Sequence, residues 1–115
     1  MPRRRWRYYR TAEGAAPAKD FIDALDVVAA AAIFEAMQAV RIDGRAARHI
    51  RGDIYEARAR TRESAYRVLF AGQGRGGHVL LAVSAFEKKT RRTPLAEIRL
   101  AEARLADWRR RGRGE

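Results

Sequence analysis

Three short runs in the second half of the chain do most to limit its fold. Asp53 to Arg60 alternates, with Ile54, Glu56 and Arg58 on one side and Tyr55, Ala57 and Ala59 on the other. Tyr66-Arg67-Val68-Leu69-Phe70 is apolar apart from one charge, and His78 to Ala85 is almost continuously apolar. A short connection separates the first two, and a turn containing Gly72, Gly74, Gly76 and Gly77 separates the second from the third. Strand, short connection, strand, glycine turn, strand is the order of an antiparallel meander.

The first half follows another rhythm. Trp6 to Arg10 is short, aromatic and basic, and reads as a strand ending near Thr11. Pro17 suits the first turn of a helix in which Phe21, Leu25 and Val28 recur at i, i+4 and i+7. Asp26 marks a break, after which Ile33, Phe34, Met37 and Val40 keep helical spacing up to a stop at Gly44. Two antiparallel helices or one bent helix fit residues 17–43. A last helix opens at Thr93-Pro94, read as an N-cap and a first-turn proline, and carries Leu95, Ile98, Ala101, Leu105 and Trp108 on one face. The order β-α-α-β-β-β-α predicts one α+β domain over residues 1–115, its helices packed on a mostly antiparallel sheet. Residues 109–115 read as a frayed basic tail.

Charge narrows the partners. Lys and Arg number 25 against 14 Asp and Glu, a net charge of +11. Such a balance favours nucleic acid, an anionic membrane or an acidic protein. Arginine far outnumbers lysine, which suits two-point contact with phosphate, although a GC-rich genome enriches arginine as well. There is no cysteine, which excludes disulfides and thiol chemistry. The opening Met1-Pro2-Arg3-Arg4-Arg5 is followed by Trp6-Arg7-Tyr8-Tyr9-Arg10, not the apolar stretch of a secretory signal. No run approaches the roughly 18 apolar residues of a membrane span, and the chain reads as cytoplasmic.

Candidate chemistry sits on cations. Arg58 and Arg60, two apart on a strand, share a face. Arg67 interrupts an apolar strand, where a charge is costly unless paired or solvated. It reads either as a salt bridge to Glu56 or Glu63, or as one of a set, Arg58, Arg60, Arg67, Lys88 and Lys89, lining a concave basic surface that would hold a phosphate. Arg91 and Arg92 extend the cluster ahead of the last helix. Tyr66 faces away from Arg67. Trp6, Phe70 and Phe86 read as core. His49 and His78 show no metal-ligand spacing, and no cofactor motif is present.

Tyr8-Tyr9, the run from Pro17 to Leu25, Ile54-Tyr55-Glu56-Ala57-Arg58, Tyr66-Arg67-Val68-Leu69-Phe70, Phe86-Glu87-Lys88-Lys89-Thr90-Arg91-Arg92-Thr93-Pro94 and Glu97-Ile98 follow one another in a familiar order. Over residues 6–110 the chain resembles the phage-derived, HigB-like branch of the RelE/ParE toxin superfamily. The resemblance implies a RelE-like fold and the toxin of a type II toxin–antitoxin pair. In RNA-cleaving members mRNA is cut, often on the ribosome, by attack of a 2′-hydroxyl on the adjacent phosphate, without a metal. Carried over, the catalytic positions are Arg67, Lys88 and Lys89, and the RNA-binding ones Arg58, Arg60, Arg91 and Arg92. A helix-turn-helix antitoxin is the implied partner. A non-catalytic binding protein and a gyrase-directed toxin of the ParE type are the alternatives. The chain departs from the branch at Ser84, often histidine, and at Pro94 and Leu95, near which some RelE-type toxins place a tyrosine. Catalysis would then rest on lysine and arginine.

Overall fold

The computed structural model describes residues 4–112. The elements are β1 (Arg5–Tyr8), α1 (Pro17–Asp23), α2 (Val27–Ile42), β2 (Arg48–Arg51), β3 (Ile54–Arg60), β4 (Ala65–Gln73), β5 (Val79–Lys88) and α3 (Leu95–Arg110). They form an α+β fold around one five-stranded sheet of order β1-β5-β4-β3-β2. The β2–β3, β3–β4 and β4–β5 pairs are antiparallel, so the meander is as expected. β1 runs parallel to β5, which makes the sheet mixed. Among the described residues no helix is long and apolar enough to cross a membrane.

Each face of the sheet has its own core. On one face Ala57, Ala59, Tyr66, Val68, Phe70, Leu80 and Ala82 pack against α1 and α2. Asp26 does separate two helices: its carboxylate accepts from the Ala29 amide at 2.8 Å and caps α2. Ala29, Ile33, Met37 and Val40 then turn inward at spacings of four, four and three. Burying a side chain of the size of Ile22 or Ile33 contributes about 1.5–3 kcal/mol each. Val28 does not extend the face of Phe21 and Leu25, because the cap at Asp26 starts a new helix, and Phe34 is also exposed. Trp6 joins strand to helix: its ring meets Phe70 edge-on at 4.9 Å, and its indole N–H donates to the Met37 carbonyl at 2.8 Å.

The other face is covered by α3. Ala101 and Leu105 pack on Ile54, Leu69, Ala71, Leu81, Val83 and Phe86, with Tyr9 and Trp108 at the side. Tyr9 Oη donates to Asp107 at 2.7 Å. The helix runs on into the basic tail, because Arg109 and Arg110 are ion-paired, to Asp53 at 2.9 Å and Asp107 at 3.0 Å. Arg111 is likewise paired with Asp107 at 2.9 Å, and residues 113–115 of the expected frayed end lie outside the described residues.

One local feature differs from the sequence reading. β2 is an extra edge strand inside the basic stretch 45–51; it has no apolar alternation and is held by pairing with β3. The β4–β5 turn tightens around Gly74, whose φ is +77° and where a Cβ would come within 2.7 Å of the His78 ring.

Candidate RNA-binding site

A bulge decides which basic side chains meet. β4 and β5 keep register as far as Leu69 opposite Ser84, and then Phe70 opposes Ala82, leaving Val83 as the extra residue. Val83 and Ser84 both turn toward α3: Val83 packs in its core and Ser84 Oγ donates to Glu97 Oε1 at 3.0 Å. Beyond the bulge the alternation of β5 is inverted, so Phe86 and Lys88 share the α3 face with Arg67. Strict alternation from Leu81 would have sent Glu87 there instead.

α3 leaves one end of that face open. There a cavity of about 360 Å³ is bordered by Arg48, Glu56, Arg58, Arg67, Lys88, Arg91, Arg92 and Thr93. Arg67 lies at its floor, with its side chain only 12% exposed. One terminal nitrogen of its guanidinium donates to the Tyr66 carbonyl at 2.9 Å. Its Nε is ion-paired with Glu56 Oε2 at 3.5 Å but, among the described residues, is a buried donor without a hydrogen bond. Glu56 itself is 2% exposed and takes a hydrogen bond from the Thr93 hydroxyl. Thr93 is therefore not the N-cap expected of it. Pro94 holds that position without a side-chain hydrogen bond, and Thr93 reaches across to the sheet instead.

The two central cations are destabilised where they stand. Burial lowers the pKa of Arg67; Glu56 opposes that fall, while Arg58, Arg60 and Arg48 add to it. Arginine stays charged even so. Partial desolvation holds Lys88 below its ordinary value of 10.5, and the neighbouring Arg67 pushes it the same way. Lys88 Nζ donates to the Thr90 carbonyl, on the loop that carries Arg91 and Arg92.

Not every expected cation shares the cavity. Arg58, Arg67, Lys88, Arg91 and Arg92 come together; Lys89 is exposed beyond it and lies 3.8 Å from Glu87. Arg60 borders a separate groove of about 280 Å³ between β3 and α2. Arg48 joins the site through β2 and was missed with that strand. His49 lies at the rim, but its ring packs against Tyr55 at 4.9 Å and its Nε2 meets the Gly52 carbonyl at 2.8 Å. Tyr66 is buried on the opposite face, as its place beside Arg67 requires.

The profile of the family "Phage derived protein Gp49-like" matches residues 20–106. In two strains of Mycobacterium tuberculosis, a protein described as "Probable endoribonuclease HigB1" is 34% identical to this chain over 109 residues, covering 91% of the chain and 85% of the relative. The match spans β3, β4, β5 and the loop before α3, and so includes every cation that borders the cavity. The chain belongs to the phage-derived Gp49-like family of RelE/HigB-type toxins.

Proposed function

We infer that this protein is the toxin of a toxin–antitoxin pair, with a RelE-like fold, and that it cleaves mRNA in the cytoplasm. The observation that carries this reading is Arg67 on the floor of a cavity of about 360 Å³ bordered by cations, with Lys88 reaching the same space from the next strand. RNA can be cut by attack of a 2′-hydroxyl on the adjacent phosphorus. The protein's part is then to hold the chain in line and to stabilise the extra negative charge that develops on the phosphoryl oxygens.

In this reading Arg67 and Lys88 contact the phosphate that reacts. Arg58, Arg91 and Arg92 hold the flanking backbone, and Arg48 joins them. Lys89 and Arg60, outside the cavity, act through long-range attraction of the RNA. Lys88 is the group best suited to move a proton, because its ammonium is destabilised where it stands. The name of the Mycobacterium relatives supports ribonuclease chemistry, and the family supports an antitoxin as partner.

A second reading, binding without cleavage, is favoured by one detail. The Ser84 hydroxyl is engaged with Glu97 and so supplies no proton-transfer group to the cavity. Induction in cells with mapping of mRNA 5′ ends separates the readings. New ends inside reading frames that vanish with Arg67→Ala and with Lys88→Ala support the nuclease. Growth arrest with intact mRNA and broken DNA would point to gyrase, and intact mRNA without arrest to a binding protein.

A further inference from the structure

Glu56 is a carboxylate set among cations, and the ribonuclease reading gives it no task. It is 2% exposed, so it cannot itself reach a substrate phosphate. Its Oε2 lies 3.5 Å from Arg67 Nε on the floor and accepts from Thr93 Oγ1 on the wall. A buried carboxylate is costly and is kept only where its partners hold it. Here one oxygen joins two separate parts of the site: the β4 arginine and the loop that presents Arg91 and Arg92.

We propose that Glu56 is the positioning residue of this site, fixing Arg67 and the 91–93 loop relative to each other. The geometry explains why one is needed. Arg67 is opposed across the strands by Arg58 and shares the cavity with Lys88 and Arg48. Without a carboxylate behind it, mutual repulsion would drive the guanidinium outward into solvent. The open distance to Nε leaves that N–H available to tighten onto Glu56 once a phosphate engages the outer nitrogens. Thr93 completes the device by holding the loop against the same oxygen.

The proposal rests on the ribonuclease reading, and its test separates the two. Glu56→Gln keeps the shape and an acceptor for Thr93 but removes the charge. Binding to a non-cleavable 2′-O-methyl oligonucleotide is expected to hold or tighten, because a negative charge leaves a phosphate site. Single-turnover cleavage is expected to fall roughly 100-fold, the scale of a displaced catalytic group. Glu56→Asp should recover part of that loss. In 15N-labelled protein with the 2′-O-methyl oligonucleotide bound, the Arg67 Nε–H signal, assigned by its absence in Arg67→Lys, should exchange slowly in the wild type and fast in Glu56→Gln.

Cleavage by Glu56→Gln at the wild-type rate would overturn the proposal. So would parallel losses of binding and cleavage, which mean that Glu56 only maintains the fold. If the wild-type protein cuts no RNA, the ribonuclease reading fails instead. The exchange of the Arg67 Nε–H then decides alone: protection lost in Glu56→Gln supports the positioning role, and protection unchanged overturns it.

Discussion

Arg58 and Arg67 stand directly opposite each other on β3 and β4, two like charges on one face of the sheet. Glu56, one step along that face of β3, is the carboxylate that bridges toward Arg67. Like charges in opposed positions destabilise a sheet, by about 0.2–1 kcal/mol for a typical pair. A face selected for stability alone would carry a threonine or valine at one of them.

Arg58→Thr should therefore stabilise the protein while harming its function. We expect a rise in Tm of up to about 4 °C, shrinking as salt screens the repulsion in the parent. Oligonucleotide affinity should weaken, with its salt slope reduced by about one. Thermal melts and binding isotherms at several salt concentrations check both effects.

Lys88 should give binding an alkaline limit. Its folded pKa is lowered, so between that value and 10.5 the unfolded chain binds more protons than the folded one, and stability rises with pH across that window. Bound phosphate acts in the opposite sense, since it favours the charged ammonium. Affinity for a 2′-O-methyl oligonucleotide should fall as pH climbs through the lowered value, and Lys88→Arg should remove most of that fall. Parallel curves for the two proteins would contradict this account.

Ser84 should be structural here. Its hydroxyl ties the bulge of β5 to the first turn of α3 through Glu97. Ser84→Ala should cost about 1 kcal/mol in a urea titration and leave oligonucleotide affinity unchanged.

The sides of Arg58, Arg67 and Tyr66 were legible in the sequence because each lies on a strand whose alternation is unbroken up to that point. Lys88 and Lys89 were not separable, because the bulge at Val83 inverts the phase of β5 and leaves no mark in an apolar run. β2 escaped for a related reason: Arg48–Arg51 is mostly exposed and owes its form to pairing, and Arg48 was lost with it. Thr93 before Pro94 looks like a helix cap whether it caps or not. Its actual partner, Glu56, lies 37 residues away, beyond any local signal. Helix existence was legible throughout, since Asp26, Pro17 and the inward spacing of Ile33, Met37 and Val40 are local features.

The most direct measurement of the central claim uses the purified protein and a single-stranded RNA, with a matched RNA carrying 2′-deoxy sugars at the cut positions. The account predicts cleavage without added metal, leaving 2′,3′-cyclic phosphate and 5′-hydroxyl ends. It also predicts no cutting at the 2′-deoxy positions, and loss of cleavage in Arg67→Ala and Lys88→Ala while the fold persists. RNA that is bound tightly but remains intact, or cleavage that survives both substitutions, would contradict it.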